Sequence, residues 1–124
     1  MPLVIVTRNP RVVTDEVAKI LGPFLQEEVA RVLNVPSDKN ARLTSENVEV
    51  RFRDVGPLDV GSGTLGIDIL AGDHPALHAK ACTLALANRI RAAVSREGLK
   101  LPSRCFEDDS FVCVMLVPSG FAIL

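Results

Sequence analysis

The chain predicts an α+β fold: a duplicated β-α-β pattern giving one four-stranded mixed sheet with two helices on one face. Two observations carry that expectation. Apolar segments follow the order strand, helix, strand twice over, in halves of about residues 1–55 and 66–117. Apolar residues make up 48% of the chain and aromatics only 4%, so the core is built from Val, Leu, Ile and Ala, which suits a sheet covered by helices. A length of 124 residues fits a single domain spanning residues 1–124.

The first strand covers Leu3 to Thr7, an apolar run that begins directly behind Pro2. Asn9-Pro10-Arg11 then turns the chain, because the residue before a proline avoids the α region and Pro10 has no N–H for a ladder. Thr14 is the expected N-cap of the first helix, with Asp15 and Glu16 in its favourable first turn. Val17, Ile20, Leu21, Phe24, Leu25, Val29, Val32 and Leu33 recur near the helical period. Gly22-Pro23 predicts a kink or a restart, since a proline inside a helix removes a backbone hydrogen bond. Pro36-Ser37-Asp38 is the clearest turn in the polar stretch that follows.

The second strand, about Val48 to Val55, alternates Val48, Val50 and Phe52 against Glu49, Arg51 and Arg53. The stretch from Gly56 to Gly66 contains four glycines and a proline and reads as a loop able to border a ligand; it lacks the full glycine spacing of either phosphate-binding motif. Ile67 to Ala71 is the third strand. Asp73 is the expected cap of the second helix, with Pro75 near its first turn. Leu77, Ala81, Leu84, Ala85, Ile90, Ala93 and Val94 form its apolar stripe, and Glu97-Gly98 its stop. Phe111 to Val117 is the last strand, and Phe121 to Leu124 offers a short additional one.

Two such units with right-handed crossovers leave one face of the sheet without helices. Further copies of the chain are the expected cover for that face, giving a homo-oligomer.

A net charge of −1 with interspersed acids and bases lacks the basic stripe that binding of phosphate backbones needs, so nucleic acid is not expected as a partner. No apolar run approaches the roughly 18 residues of a membrane span, and the N-terminus lacks a secretory pattern. A cytoplasmic protein without a membrane partner is the expectation. Cys82, Cys105 and Cys113 are odd in number and lie in no C-x-x-C spacing, which suggests neither a disulfide framework nor a thiolate zinc site. Cys113, in an apolar strand, is expected to be a small buried hydrophobe. His74 and His78 share the i, i+4 spacing that can hold a metal, yet His74 falls in the irregular first turn. Structural or solvated roles are expected for both, with no metal or cofactor. Asp108 and Asp109 read as a solvated loop.

Pro2 is the outstanding chemical candidate. Removal of Met1 leaves a secondary amine at the first residue of a strand, with φ fixed by the ring and the nitrogen lone pair held in one direction. Taking a proton from a carbon beside a carbonyl needs a base that is neutral at working pH, hence an apolar pocket or nearby cations. The enolate, and any substrate carboxylate, would be met by arginine or backbone N–H groups. Arg8, Arg11 and Arg51 are the candidates for substrate binding, with Arg53 the weakest further one; each can equally be a cross-strand ion-pair partner.

Met-Pro-x-x-Ile-Val at the N-terminus, Asn9-Pro10-Arg11 before the first helix and the duplicated β-α-β order together resemble the tautomerase superfamily. The branches nearest in length are those of macrophage migration inhibitory factor and 5-carboxymethyl-2-hydroxymuconate isomerase. The likeness in residues is concentrated in the first eleven positions. It implies a trimeric barrel of sheets with the helices outside, and an N-terminal proline, here Pro2, that moves protons in keto–enol tautomerisation. In muconate-type members arginines near the end of strand one and in strand two serve carboxylates, and Arg11 and Arg51 lie close to those places. The implied activity is a tautomerase or isomerase acting on small 2-keto or 2-hydroxy unsaturated acids. Two other classes remain open: a hydratase or dehalogenase-type relative that adds water through a protonated proline, and a non-enzymatic trimeric binding protein.

Overall fold

The computed structural model describes residues 2–59, 63, 65–75, 77, 88, 92 and 110–117. Four strands, β1 (Leu3–Arg8), β2 (Glu49–Asp54), β3 (Leu65–Gly72) and β4 (Phe111–Val117), form one sheet in the order β2-β1-β3-β4. β1 and β2 run parallel, β3 and β4 run parallel, and the two pairs meet antiparallel along β1 and β3. This is the mixed sheet the strand order predicted. Parallel neighbours need a crossover between them, and α1 (Asp15–Leu33) supplies the first. Pro75, Leu77, Asn88 and Ala92 are helical; the rest of the expected second helix lies outside the described residues.

Thr14 caps α1 as expected, its hydroxyl accepting from the Val17 N–H. The helix does not restart at Pro23 but runs unbroken through it. Pro23 faces water while Leu21 and Leu25 on either side of it are fully buried. Burial of such side chains contributes about 1.5–3 kcal/mol each, which together offset the roughly 3 kcal/mol that an interior proline costs. Gly22 permits a close approach of helix to sheet: a Cβ there would stand 3.4 Å from the Phe52 ring. Ile20, by contrast, is half exposed and falls outside the buried stripe of Val17, Leu21, Leu25, Val29, Val32 and Leu33.

The helix-covered face of the sheet carries Val4, Val6, Ile67, Ile69 and Val114, all buried in one core with α1 and Leu77. Among the described residues no helix lies on the other face. Register aligns Arg51, Ile5, Asp68 and Cys113 across all four strands, with Glu49, Leu3, Leu70 and Met115 in a row two residues away. Cys113 is therefore exposed rather than buried, because its place in the alternation puts it on the uncovered face. Phe111 lies over its register partner Gly66 so closely that a Cβ there would come within 2.6 Å of the ring. Burial pushes the Asp68 carboxyl up from its ordinary value. Among the described residues no helix is long and apolar enough to cross a membrane.

Residues 60–62 and 64 of the glycine-rich loop, Cys82, Cys105, His78, Asp108, Asp109 and the C-terminal residues from 118 onward lie outside the described residues.

Candidate active site

Pro2 is buried, and its carbonyl accepts from the Glu49 N–H at 3.1 Å, which anchors the first residue of β1 against β2. Because β1 and β3 are antiparallel, with Leu3 opposite Leu70, the beginning of one strand meets the end of the other. Pro2 thus joins Ala71, Gly72, Asp73 and His74 around a cavity of about 200 Å³. That is roughly the liquid volume of six or seven waters, a size for a small metabolite rather than a polymer.

The remaining wall comes from the end of α1 and the segment after it: Leu33, Val35, Asp38, Asn40 and Leu43. Three hydrogen bonds fix this segment. The Asn34 side chain accepts from the Leu43 N–H at 2.8 Å, Arg42 Nε donates to the Pro36 carbonyl at 2.8 Å, and the Asp38 N–H closes a turn on the Val35 carbonyl at 3.2 Å. The expected turn at Pro36-Ser37-Asp38 is therefore present, and it delivers a carboxylate to the cavity.

Both oxygens of that carboxylate are engaged. Asp38 Oδ1 accepts from the Asn40 N–H at 2.9 Å, and Oδ2 lies 2.9 Å from His74 Nε2. The bond with His74, then that with Asn40, holds the Asp38 carboxyl below its ordinary range, so it is an anion at neutral pH. His74 is itself placed by the junction between β3 and the helical turn beyond. Asp73 extends the ladder by donating to Val117 at 2.7 Å, and the Leu77 N–H donates to the His74 carbonyl at 3.0 Å. Solvated or structural readings of His74 gave no hint of this pair, since 36 residues separate it from Asp38.

None of the candidate arginines lines this cavity among the described residues. Arg8 stands at the opposite end of β1, six residues and therefore roughly 20 Å from Pro2. Its guanidinium donates to Asp54 at 2.8 Å, to Asp15 at 2.6 Å and to the Val13 carbonyl at 3.0 Å. The Asp54 and Asp15 bonds raise its already high pKa. Arg11 is exposed in the turn before α1, its N–H donating to the Asn9 side chain. Arg51 is on the open face, opposite Ile5, with Nε 2.8 Å from Glu49 Oε1. Arg53 reaches Asp59 at 3.5 Å. Among the described residues no cluster of three histidine, cysteine or acidic side chains is placed to hold a metal.

No family model matches the chain, and no curated protein does. Solved structures do. A member of the cis-3-chloroacrylic acid dehalogenase family is similar over 98% of this chain and 79% of its own, with a TM-score of 0.56 and 15% identity. A 5-carboxymethyl-2-hydroxymuconate delta-isomerase is similar over 100% and 86%, with a TM-score of 0.60 and 8% identity. Leishmania major MIF2 is similar over 94% and 89%, with a TM-score of 0.51 and 16% identity. Identities this low show a shared fold alone.

Proposed function

We propose that the protein is a tautomerase or isomerase of small 2-keto or 2-hydroxy unsaturated acids, with the amine of Pro2 as general base once Met1 is removed. The single observation that carries this reading is the position of Pro2: buried, at the head of β1, in the wall of a small cavity that it shares with the apolar Leu33, Val35, Leu43, Ala71 and Leu77 and the polar Asp38, Asn40, Asp73 and His74. The apolar side chains in this wall disfavour the ammonium form, which is the condition for a base. The charge of Asp38 acts in the opposite direction, favouring the ammonium.

In this reading Pro2 nitrogen takes a proton from the carbon beside the substrate carbonyl while the carbonyl oxygen acquires the charge. A substrate carboxylate is met by an arginine from a neighbouring copy in a homotrimer, with Arg51 on the open face the best placed and Arg8 and Arg11 the other candidates. The reaction calls for no cofactor, and the setting is cytoplasmic.

A second reading is favoured by one observation. Addition of water to an unsaturated acid through a protonated proline requires a carboxylate to orient the water, and Asp38 supplies one beside Pro2. The member of the cis-3-chloroacrylic acid dehalogenase family shares the fold.

Enolisation of phenylpyruvate by protein whose N-terminus is Pro2, compared with Pro2→Ala, tests the first reading. The expected outcome is loss of nearly all activity with the melting temperature preserved. Full activity in Pro2→Ala removes the proline base, and turnover of an unsaturated acid without enolisation favours the second reading.

A further inference from the structure

We infer that His74, positioned by Asp38, is the second proton-transfer residue of this cavity, serving the substrate oxygen while Pro2 serves the carbon. The inference rests on the reading of Pro2 as base and names a partner for it.

Three observations carry it. His74 and Pro2 line the same cavity of about 200 Å³, so a small acid that fills it is adjacent to both. The imidazole is held, with Nε2 2.9 Å from Asp38 Oδ2. The carboxylate is held in turn by the Asn40 N–H, on a segment fixed by Asn34 and Arg42. A base oriented by a carboxylate that is itself hydrogen-bonded is the arrangement that fixes a ring's tautomer and direction.

With the Asp38 carboxylate as acceptor, Nε2 is the donor of that bond, so in the doubly protonated ring Nδ1 is the nitrogen that gives up and regains a proton. Enolisation then balances within the site. The C–H bond breaks and its proton passes to Pro2 nitrogen, the carbon–carbon double bond forms, and the carbonyl oxygen takes the Nδ1 proton to become the enol hydroxyl. Pro2 is left as the ammonium and His74 as the neutral imidazole. Proton exchange between them through solvent restores the starting state, with no oxidant, reductant or co-reactant consumed.

The test uses full-length protein processed to Pro2 and phenylpyruvate as substrate, with circular dichroism confirming the fold of each variant. His74→Gln is expected to lower kcat about a hundredfold or more while leaving KM nearly unchanged. Added imidazole is expected to restore rate to His74→Ala, which a purely structural tie would not allow. Asp38→Asn is expected to lower kcat less than His74→Gln, and imidazole does not rescue it. If Pro2→Ala is inactive but His74→Gln keeps its kcat, this inference is overturned and the proline base survives. Failure of imidazole to restore His74→Ala likewise overturns it. Activity in Pro2→Ala overturns both readings together.

Discussion

Arg8 and Asp54 are register partners on adjacent parallel strands, and Arg8 Nε lies 2.8 Å from Asp54 Oδ1. The same guanidinium reaches Asp15 in the first turn of α1 and the Val13 carbonyl before it. One side chain thus fastens the end of β1, the end of β2 and the start of the crossover helix. Carboxylate at a helix N-terminus is favourable in its own right, so Asp15 serves the helix and the cluster together.

Arg8→Ala should lower stability by about 1–2 kcal/mol, because it removes charge-assisted bonds while the partly open carboxylates return to water. Thermal unfolding should show a fall of several degrees. Arg8→Lys should lie between, since an ammonium cannot reproduce the fork. An unchanged KM for keto acids in Arg8→Ala would assign the residue to the fold, and a raised KM would assign it to the substrate carboxylate.

Asp38 makes stability depend on acid pH in a definite direction. Its carboxyl is held below the ordinary value of 3.8, so the unfolded chain takes up this proton at higher pH than the folded one. The stabilisation is complete above the ordinary value and disappears as pH falls through it toward the folded value. Melting temperatures of the wild type and Asp38→Asn should therefore converge between about pH 6 and about pH 2. A gap that stays constant over this range would mean that the bond to His74 is not formed in solution.

Met115 is half exposed on the open face, in the row with Leu3 and Leu70, and Asp68 sits one row away with its carboxyl pushed up by burial. An apolar row beside a partly desolvated acid and the arginines of β2 is a face that suits a second copy of itself. Met115→Glu should convert the proposed homotrimer to monomers in sedimentation experiments. A variant that keeps the wild-type mass would place the interface on another surface.

The strand positions and the capped first helix were legible because alternation, periodicity and cap chemistry are local properties of the chain. The place of Pro2 at the head of β1 was legible for the same reason, since it stands directly before an apolar run. Pro36-Ser37-Asp38 could be read as a turn and Asp73-His74-Pro75 as a helix start, but nothing in either stretch indicates the other. Their meeting depends on β1 and β3 being antiparallel, which carries the end of β3 to the beginning of β1 and the end of α1. The sequence by itself determined which segments become strands and helix and that a proline heads the sheet. Only the tertiary structure decided that His74 and Asp38 share a cavity with Pro2, that Arg8 joins Asp54 and Asp15, and that Cys113 faces outward. Each of these follows from register and strand direction, which long-range pairing fixes and no local residue pattern encodes.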